Sequence, residues 1–358
     1  MLSRGTGDKT MVSRHVPVIY GGTWSERNIS IQSARCVIGW LEDAGIEPVP
    51  VRWDDDGWVI CPVDDLEQIG EPVNPCDLLQ SQVDSGIEEV FNSLHGGAGE
   101  DGTLAALLSS FKLAHTGAGV VGSAVSACKI TFRQRLRGIG MQVAVGAVVH
   151  EEIWARRRGE VLSGVAKEVH YPCIVKDPMG GSSIGLKLVN DELELQEFIE
   201  NLFKKTRLVL IEQRVIGREL SIACLGAGRG SLPQLLQPIE VVLNDEREIF
   251  DFEAKYTPGA AQEIHASLSP EEWMQIAQEI RQMHLELDLG TASRTDLILT
   301  DDGPVYLETN TVPGCTDRSI LPIAAGLSGI SGPELVRKLL EIAVANHLER
   351  WGRGPSAS

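Results

Sequence analysis

Two carboxylates and one amide are spaced along a short segment so that they could bind a divalent cation. The segment RTDLILTDDGPVYLETN (294–310) has two alternating runs around Asp-Asp-Gly, which predicts a β-hairpin. Side chains alternate faces along a strand, so Glu308 and Asn310 share a face, and Asp296 joins them if the loop has an odd number of residues, for instance 301–303. Hard oxygen ligands of this kind suit Mg²⁺. The same trio could instead be a solvated hairpin face, since Asp and Glu are mostly exposed.

A loop rich in Gly and Ser is the second candidate for chemistry. In YPCIVKDPMGGSSIGLKLV (171–189), an apolar run ends in Lys176, passes through GGSSIG and resumes as an apolar run. The loop is similar to a phosphate cradle but lacks the Gly-Lys-Ser/Thr ending of a P-loop. It could equally be a plain hairpin turn between two strands.

Single basic residues are weaker signals. Lys129 opens a helix-like segment and Lys255 lies in FDFEAKY, but most lysines are on protein surfaces, so neither predicts a nucleotide site by itself. His95 precedes GGAGEDG and could be a general base or a hydrogen-bonding residue at the end of a strand.

Composition limits the classes of partner. The chain has 358 residues and a formal net charge of −18, which argues against a nucleic acid or an anionic membrane as partner. An anionic nucleotide would need cations concentrated in one place. The seven cysteines show no Cys-x-x-Cys or Cys/His metal spacing, which is typical of reduced thiols in the cytosol. We find no apolar signal core and no membrane span, and therefore expect a cytoplasmic protein.

The apolar pattern predicts three successive units. VPVIYGG (16–22) indicates a buried strand that enters a turn, and a helical stripe and the strand-like EPVPV follow it, as at the start of a parallel α/β sheet. SPEEWMQIAQEIRQMHLEL predicts a helix that Ser269 and Glu272 cap as a capping box. We place the units at 1–117, 118–211 and 212–350, with loose ends at 1–14 and 351–358.

Seven segments in a fixed order resemble the D-alanine–D-alanine ligases, which belong to the ATP-grasp superfamily. They are GGTWSERNIS, LHGGAGEDGT, IVKDPMGGSSIG, LIEQRVIGRE, FDFEAKY, SRTDLIL and LETNTVPGCT, and the resemblance covers roughly residues 16 to 345. It implies an α/β and α+β architecture: an N-terminal Rossmann-like parallel α/β domain precedes an ATP-grasp fold of two subdomains. ATP would lie between those subdomains beneath a mobile Gly-rich lid.

The resemblance also implies a set of ATP and metal contacts. The phosphates would be contacted by Lys129, Lys176, Lys255 and Arg294, with Ser183 in the lid. The adenine hinge would be formed by Glu212, Gln213 and Val215, and Glu219 would bind the ribose. Two Mg²⁺ ions, for which Mn²⁺ can substitute, would be held by Asp296, Glu308 and Asn310. Cations gathered in one cleft would reconcile ATP binding with an acidic chain.

The implied reaction has two steps. The carboxylate of a first amino acid attacks the γ-phosphate of ATP, and the amine of a second amino acid then displaces phosphate from the acylphosphate. The resemblance assigns catalytic roles to Glu26, Ser182, Tyr256, Arg294 and Gly314. Arg294 and the Gly314 amide would form the oxyanion site, while Glu26 would bind the first ammonium and form a triad with Ser182 and Tyr256. Substrate contacts are further implied for Ile29, His95, Ser319 and Ile320.

We therefore predict an ATP-dependent carboxylate–amine ligase that joins two D-alanines for peptidoglycan synthesis and forms a homodimer. Tyr256 favours an amine acceptor over D-lactate. Unusual residues at Cys315 and Arg318, beside the second subsite, keep an alternative open: an ATP-grasp ligase that joins other amino acids in a natural-product pathway. A catalytically silent nucleotide-binding protein is disfavoured, because every charged group that the chemistry needs is present.

Overall fold

The computed structural model describes residues 14–181, 185–227, 231–244 and 259–351. Four candidate site residues lie outside the described residues: Ser182, Ser183, Lys255 and Tyr256. Within the described ranges, no helix combines the length and the apolar character needed to cross a membrane.

The first sheet is mostly parallel, as the sequence predicts. Its strands are β1 (His15–Gly21), β2 (Glu47–Asp54), β3 (Gly57–Ile60), β4 (Glu89–Asn92) and β5 (Ala114–His115). They are ordered β3-β2-β1-β4-β5, and only β3 pairs antiparallel, at the edge. The accompanying helices are α1 (Arg27–Asp43), α2 (Pro75–Asp84), α3 (Gly97–Glu100) and α4 (Thr103–Ser110). Since β1 and β4 are parallel neighbours, the loops that follow them lie side by side at the carboxyl ends of the strands.

A second, antiparallel sheet contains the Gly/Ser loop. The helices α5 (Val120–Ala127) and α6 (Lys129–Gly138) precede it in the chain, and α7 (Glu151–Glu168) and α8 (Glu192–Leu202) pack on it. Its strands are β6 (Gly146–His150), β7 (Cys173–Lys176), β8 (Leu186–Val189) and β9 (Leu208–Gln213), in the order β6-β9-β7-β8. The predicted pair of strands around the Gly/Ser loop is confirmed, because β7 pairs antiparallel with β8.

The third unit is built on another antiparallel sheet. Its strands are β10 (Arg218–Leu225), β11 (Gln234–Leu235), β12 (Ile239–Leu243), β13 (Ala261–His265), β14 (Ala292–Thr300) and β15 (Gly303–Asn310). The order is β13-β12-β10-β14-β15, and β11 also pairs with β10. The capped helix is confirmed as α9 (Pro270–Glu286), with both hydrogen bonds of the capping box formed between Ser269 and Glu272.

The hairpin of β14 and β15 is confirmed, but its odd residue does not lie in the turn. Thr300 pairs with Gly303, so the turn holds only two residues, and the predicted three-residue loop is wrong. The ladder shifts further along: Leu297 pairs with Tyr306 and Asp296 with Glu308, which leaves Leu307 as a bulge. A bulge shifts the pairing by one residue and so moves every later side chain to the other face of the sheet. A loop with an odd number of residues would have the same effect.

The last two helices complete the core of the first sheet. Following β15 are α10 (Ile320–Leu327) and α11 (Gly332–Trp351). Val336 and Leu340 of α11 are fully buried in one cluster with Val18 of β1 and Val37 of α1. The end of the chain therefore packs against its beginning, which brings the β15–α10 loop to the edge where β1 and β4 end.

Candidate active-site cleft

A cleft of about 630 Å³ is lined by residues from all three units. Most of the described candidates line it: Glu26, Ile29, His95, Lys129, Lys176, Glu219, Arg294, Asp296, Glu308, Asn310, Gly314, Ser319 and Ile320. Glu212, Gln213 and Val215 are outside this lining. Glu212 is buried in β9 behind Lys176, while Gln213 is exposed and Val215 is half-buried just after it.

Strand pairing puts the three predicted metal ligands on one face. Asp296 of β14 is directly opposite Glu308 of β15, and Arg294 is opposite Asn310. Ser221 of β10 is opposite Asp296, and its hydroxyl donates a 2.5 Å hydrogen bond to Asp296 Oδ1. In the described part of the chain, no group of three or more His, Cys, Asp or Glu residues is close enough to hold a metal. The oxygen donors on this face are thus two carboxylates and an amide.

Two cations neutralise these carboxylates. Lys129 Nζ lies 2.9 Å from Glu308 Oε2, and Arg294 donates to Asp296 with its terminal nitrogen 2.7 Å from Oδ2. Burial would raise the pKa of the Glu308 carboxyl, but Lys129 and Arg294 outweigh it and hold that pKa well below its usual range. Both signs of charge therefore lie together in a cleft that excludes much of the solvent, where electrostatic interactions are strong.

Lys176 belongs to a buried ion network that continues away from the cleft. Its ammonium pairs with Glu212, and Arg133 of α6 lies 2.9 Å from the other oxygen of that carboxylate. Arg133 also donates to the Ala144 carbonyl. Sequence reasoning missed Arg133, although it follows Lys129 by four residues and so shares its face of the helix.

The first part of the Gly-rich loop lies directly on Glu26. A Cβ atom built at Gly181 would be 2.8 Å from one Glu26 carboxylate oxygen, and a Cβ at Gly96 would overlap that carboxylate. Lys129 Nζ donates to the Gly180 carbonyl at 2.6 Å, which fixes the same loop to the start of α6. Gly180 and Gly181 therefore line the cleft, and the backbone of Gly181 is in close contact with the first domain.

His95 connects three segments through its ring nitrogens. Nδ1 is 3.0 Å from the Val312 carbonyl and Nε2 is 2.7 Å from Ser33 Oγ. The ring is buried although His95 lines the cleft. This geometry favours the hydrogen-bonding alternative for His95 over the general base.

Glu100 is a cleft residue that sequence reasoning missed. Its Oε1 accepts a 2.9 Å hydrogen bond from the Gly96 amide and lies 3.9 Å from His95 Nδ1. Burial, with a further contribution from Glu26, raises the pKa of the Glu100 carboxyl to about 8. The segment HGGAGEDG contains a signal for this residue, because Glu100 follows Gly96 by four residues, about one helical turn.

The loop between β15 and α10 forms the far wall. Ser319 Oγ accepts a hydrogen bond from the Thr316 amide at 3.1 Å, and a Cβ at Gly314 would lie 2.7 Å from that oxygen. Arg318 lines the cleft. Cys315 points the other way, into the core shared with α1, so any influence on a substrate passes through the backbone.

A parallel α/β domain followed by two units that enclose a cleft of lysines, arginine and carboxylates is the arrangement of the ATP-grasp fold. Solved structures of this fold match the chain. The D-alanine–D-alanine ligase from Coxiella burnetii has a TM-score of 0.76 and 25% identity, covering 94% of this chain and 96% of that one. The Bacillus anthracis D-alanine–D-alanine ligase complexed with ATP has a TM-score of 0.75 and 24% identity, covering 94% and 99%.

Sequence families narrow this class. The D-ala D-ala ligase N-terminus family matches residues 15–118, and the D-ala D-ala ligase C-terminus family matches residues 136–341. The D-alanine–D-alanine ligase of Syntrophobacter fumaroxidans is 34% identical over 330 residues, which cover 92% of this chain and 97% of that protein. The chain belongs to the D-alanine–D-alanine ligase family.

Proposed function

We propose that this protein ligates two D-alanines at the expense of ATP, giving D-Ala-D-Ala, ADP and phosphate for peptidoglycan synthesis. The observation that carries this proposal is the family match over both halves of the chain, in a fold whose cleft is lined by most of the described candidate residues. The alternative, a natural-product ligase for other amino acids, is not favoured, because the relatives that match nearly the whole chain are D-alanine–D-alanine ligases.

ATP binding is assigned to the side of the cleft with the lysines. Lys129 and Lys176 would contact the phosphates together with Lys255, beneath the lid that contains Ser183. Glu212, Gln213 and Val215 would hold the adenine at the end of β9, and Glu219 the ribose. The ATP complex of the Bacillus anthracis ligase supports a nucleotide site in this fold.

Magnesium is assigned to the paired strands β14 and β15. The donor set fits Mg²⁺, because Asp296 and Glu308 are opposite one another, Glu308 is kept ionised, and the Asn310 amide follows on the same face. When bound, Mg²⁺ or Mn²⁺ would neutralise the phosphate charge and orient the γ-phosphoryl group. Lys129 and Arg294, which neutralise the carboxylates, would then turn toward the phosphates.

The amino acids are assigned to the opposite wall. Glu26 would bind the first ammonium, with Ile29 and His95 beside it and Ser182 and Tyr256 completing the triad. The second amino acid would contact Ser319 and Ile320. Arg294 and the Gly314 amide would stabilise the oxyanion that forms when the second amine attacks the acyl carbon.

We further propose a homodimer in the cytoplasm. The test of oligomeric state is sedimentation of the purified protein, which should give about twice the chain mass of 38.9 kDa. A species at the mass of one chain would contradict it.

The function itself is tested by ADP release over a panel of D- and L-amino acids, with mass spectrometry of the product. D-Alanine should give D-Ala-D-Ala, and only with ATP and Mg²⁺ or Mn²⁺ present. Product from another pair of amino acids, with none from D-alanine, would favour the natural-product alternative.

The subsites are tested by Glu26→Gln. Loss of a charge-assisted hydrogen bond worth about 1.5–3 kcal/mol should raise KM for the first amino acid by about 10- to 150-fold. KM for the second amino acid and for ATP should change little. A rise confined to the second KM would overturn the assignment of Glu26.

A further inference from the structure

The indole of Trp24 lies between two loops at the edge of the first sheet. One loop runs from β1 to α1 and ends at Glu26, and the other follows β4, contains His95 and leads to Gly97, the first residue of α3. The indole N–H donates a hydrogen bond to the His95 carbonyl. A Cβ atom at Gly22 would lie 2.6 Å from the ring and one at Gly97 would lie 2.7 Å from it. The ring is therefore in direct contact with the backbone of both loops.

The first of these loops is fixed on its other side by Arg27. The Arg27 guanidinium donates to the Gly22 carbonyl at 2.9 Å and forms a 2.8 Å ion pair with Asp54. Trp24 fixes the side that faces the His95 loop, and Glu26 follows it by two residues as the first residue before α1. The distance between the Glu26 carboxylate and Gly96, which are in contact, therefore depends on the indole between their loops.

Trp24 is half-buried and is not among the residues that line the cleft. It is one of a row of three tryptophans: its ring centroid is 6.2 Å from that of Trp53, which is 5.4 Å from that of Trp58. The atoms nearest to a Cβ built at Gly96 or Gly97 belong to Glu26 and Trp24. Trp53 therefore packs against Trp24 on the side away from the His95 loop, and Trp24 is the ring of the row that contacts this loop.

We propose that Trp24 is a positioning residue for the first amino acid, which holds Glu26 and the His95–Gly97 loop at the separation that the substrate needs. This inference rests on the proposed function, in which Glu26 binds the first ammonium. Contact of the ring with two glycine backbones sets the distance between the two loops. The hydrogen bond from the indole N–H to the His95 carbonyl sets their alignment. Trp24 acts on binding of the first amino acid and leaves the ATP side of the cleft unchanged.

The test compares Trp24→Phe and Trp24→Ala with Trp53→Phe. Trp24→Phe keeps an aromatic ring but loses the N–H, and Trp53→Phe makes the same change one ring further from the loops. Each protein is assayed with the amino acid that the wild type accepts, and both amino-acid KM values, the KM for ATP, kcat and the thermal midpoint are measured. Tryptophan emission is recorded while the amino acid is added without ATP.

Trp24→Phe should raise KM for the first amino acid by about three- to tenfold, as expected for one lost hydrogen bond, and Trp24→Ala should raise it further. KM for ATP and kcat should stay within about twofold for both. Trp53→Phe should leave all constants unchanged. The emission change on adding amino acid should disappear in Trp24→Phe and persist in Trp53→Phe.

Three outcomes would overturn the proposal: an unchanged first KM in both Trp24 variants, an equal rise in Trp53→Phe, or a parallel rise in the KM for ATP. If Trp24→Ala fails to fold, the Phe variant decides. Failure of the proposed function is a separate result, because it appears in the wild type as a product other than D-Ala-D-Ala.

Discussion

At the scale of single residues, two carboxylates of the cleft each form an ion pair with a cation of the protein itself. Lys129 with Glu308 and Arg294 with Asp296 are each in direct contact, and Glu308 is ionised over the whole neutral range. In the proposed function, the ionised Glu308 would accept the metal ion, and the freed Lys129 would bind phosphate. On that proposal, the same residues would contribute to stability before the reaction and to the chemistry during it.

Glu308→Gln tests that double role. It should lower kcat by at least about 100-fold, since even residues behind metal ligands cost 10- to 100-fold when changed. It should also lower the thermal midpoint, because the buried Lys129 loses its partner. Glu240→Gln, which breaks an ion pair with Arg218 on the same sheet, is the control and should keep full activity. Near-normal turnover in Glu308→Gln would refute the metal assignment.

Glu100 should make stability depend on pH in a defined window. Its folded pKa of about 8 lies above its ordinary value of 4.5, so the folded state binds the extra proton between these values. The contribution is full below about pH 4.5 and is lost as pH rises through 8. Relative to Glu100→Gln, the wild type should therefore be less stable at pH 8 than at pH 5.

Thermal unfolding at the two pH values measures this difference. The exposed Glu197 supplies the control substitution, Glu197→Gln, which should follow the wild type at both. An identical pH dependence in wild type and Glu100→Gln would show that Glu100 titrates normally.

At the scale of elements, the loop between β7 and β8 meets the loop before α1 at a glycine. Gly181 has no Cβ, which lets its backbone approach the Glu26 carboxylate. Covering loops commonly exclude water from reactive intermediates, and an acylphosphate would need that protection.

Gly181→Ala should hold this loop away from Glu26 and lower kcat/KM by about 10- to 100-fold, the range expected for a small misplacement in a closing site. The control is Gly164→Ala in α7, where an added Cβ meets nothing within 4 Å and activity should be unchanged. Equal activity in the two variants would show that the loop closes without this contact.

At the scale of the whole molecule, the last helix belongs to the core of the first sheet. Leu340 of α11 is completely buried in the cluster shared with β1 and α1, whereas Leu348 on the same helix is 44% exposed. This packing joins the last helix to the first strand and the first helix. It therefore also fixes the position of the β15–α10 loop relative to Glu26.

Leu340→Ala should reduce the free energy of unfolding by about 2–5 kcal/mol, the usual cost of a buried Leu→Ala change. Leu348→Ala should change it by less than about 0.5 kcal/mol. Denaturant titrations followed by tryptophan fluorescence should shift for Leu340→Ala, since four of the seven tryptophans lie in the first unit. An unshifted fluorescence transition would mean that the packing of Leu340 contributes little to the stability of the protein.

The sequence by itself determined the fold class, the capped helix α9, the strand pair around the Gly/Ser loop and the identity of the candidate ligands. These follow from local signals: side-chain periodicity, capping residues, turn residues and motif order along the chain. The prediction that Asp296 and Glu308 lie on one face was correct, but the three-residue loop that it assumed was wrong. A two-residue turn and a bulge at Leu307 have the same effect on facing, and only the hydrogen-bonded ladder distinguishes them.

Tertiary structure alone decided which charges neutralise one another and which small residues allow close approach. Trp24 and Glu100 lie in segments of the family resemblance and Arg133 lies one turn after Lys129, but these signals assign none of the three a role. Their importance comes from burial and from neighbours far away in sequence, such as Glu212 for Arg133 and His95 for Trp24. A pKa near 8 for Glu100 likewise needs the surrounding protein, because it is removal of water that disfavours the charged carboxylate. Such properties belong to the packed molecule and cannot be predicted from spacing along the chain.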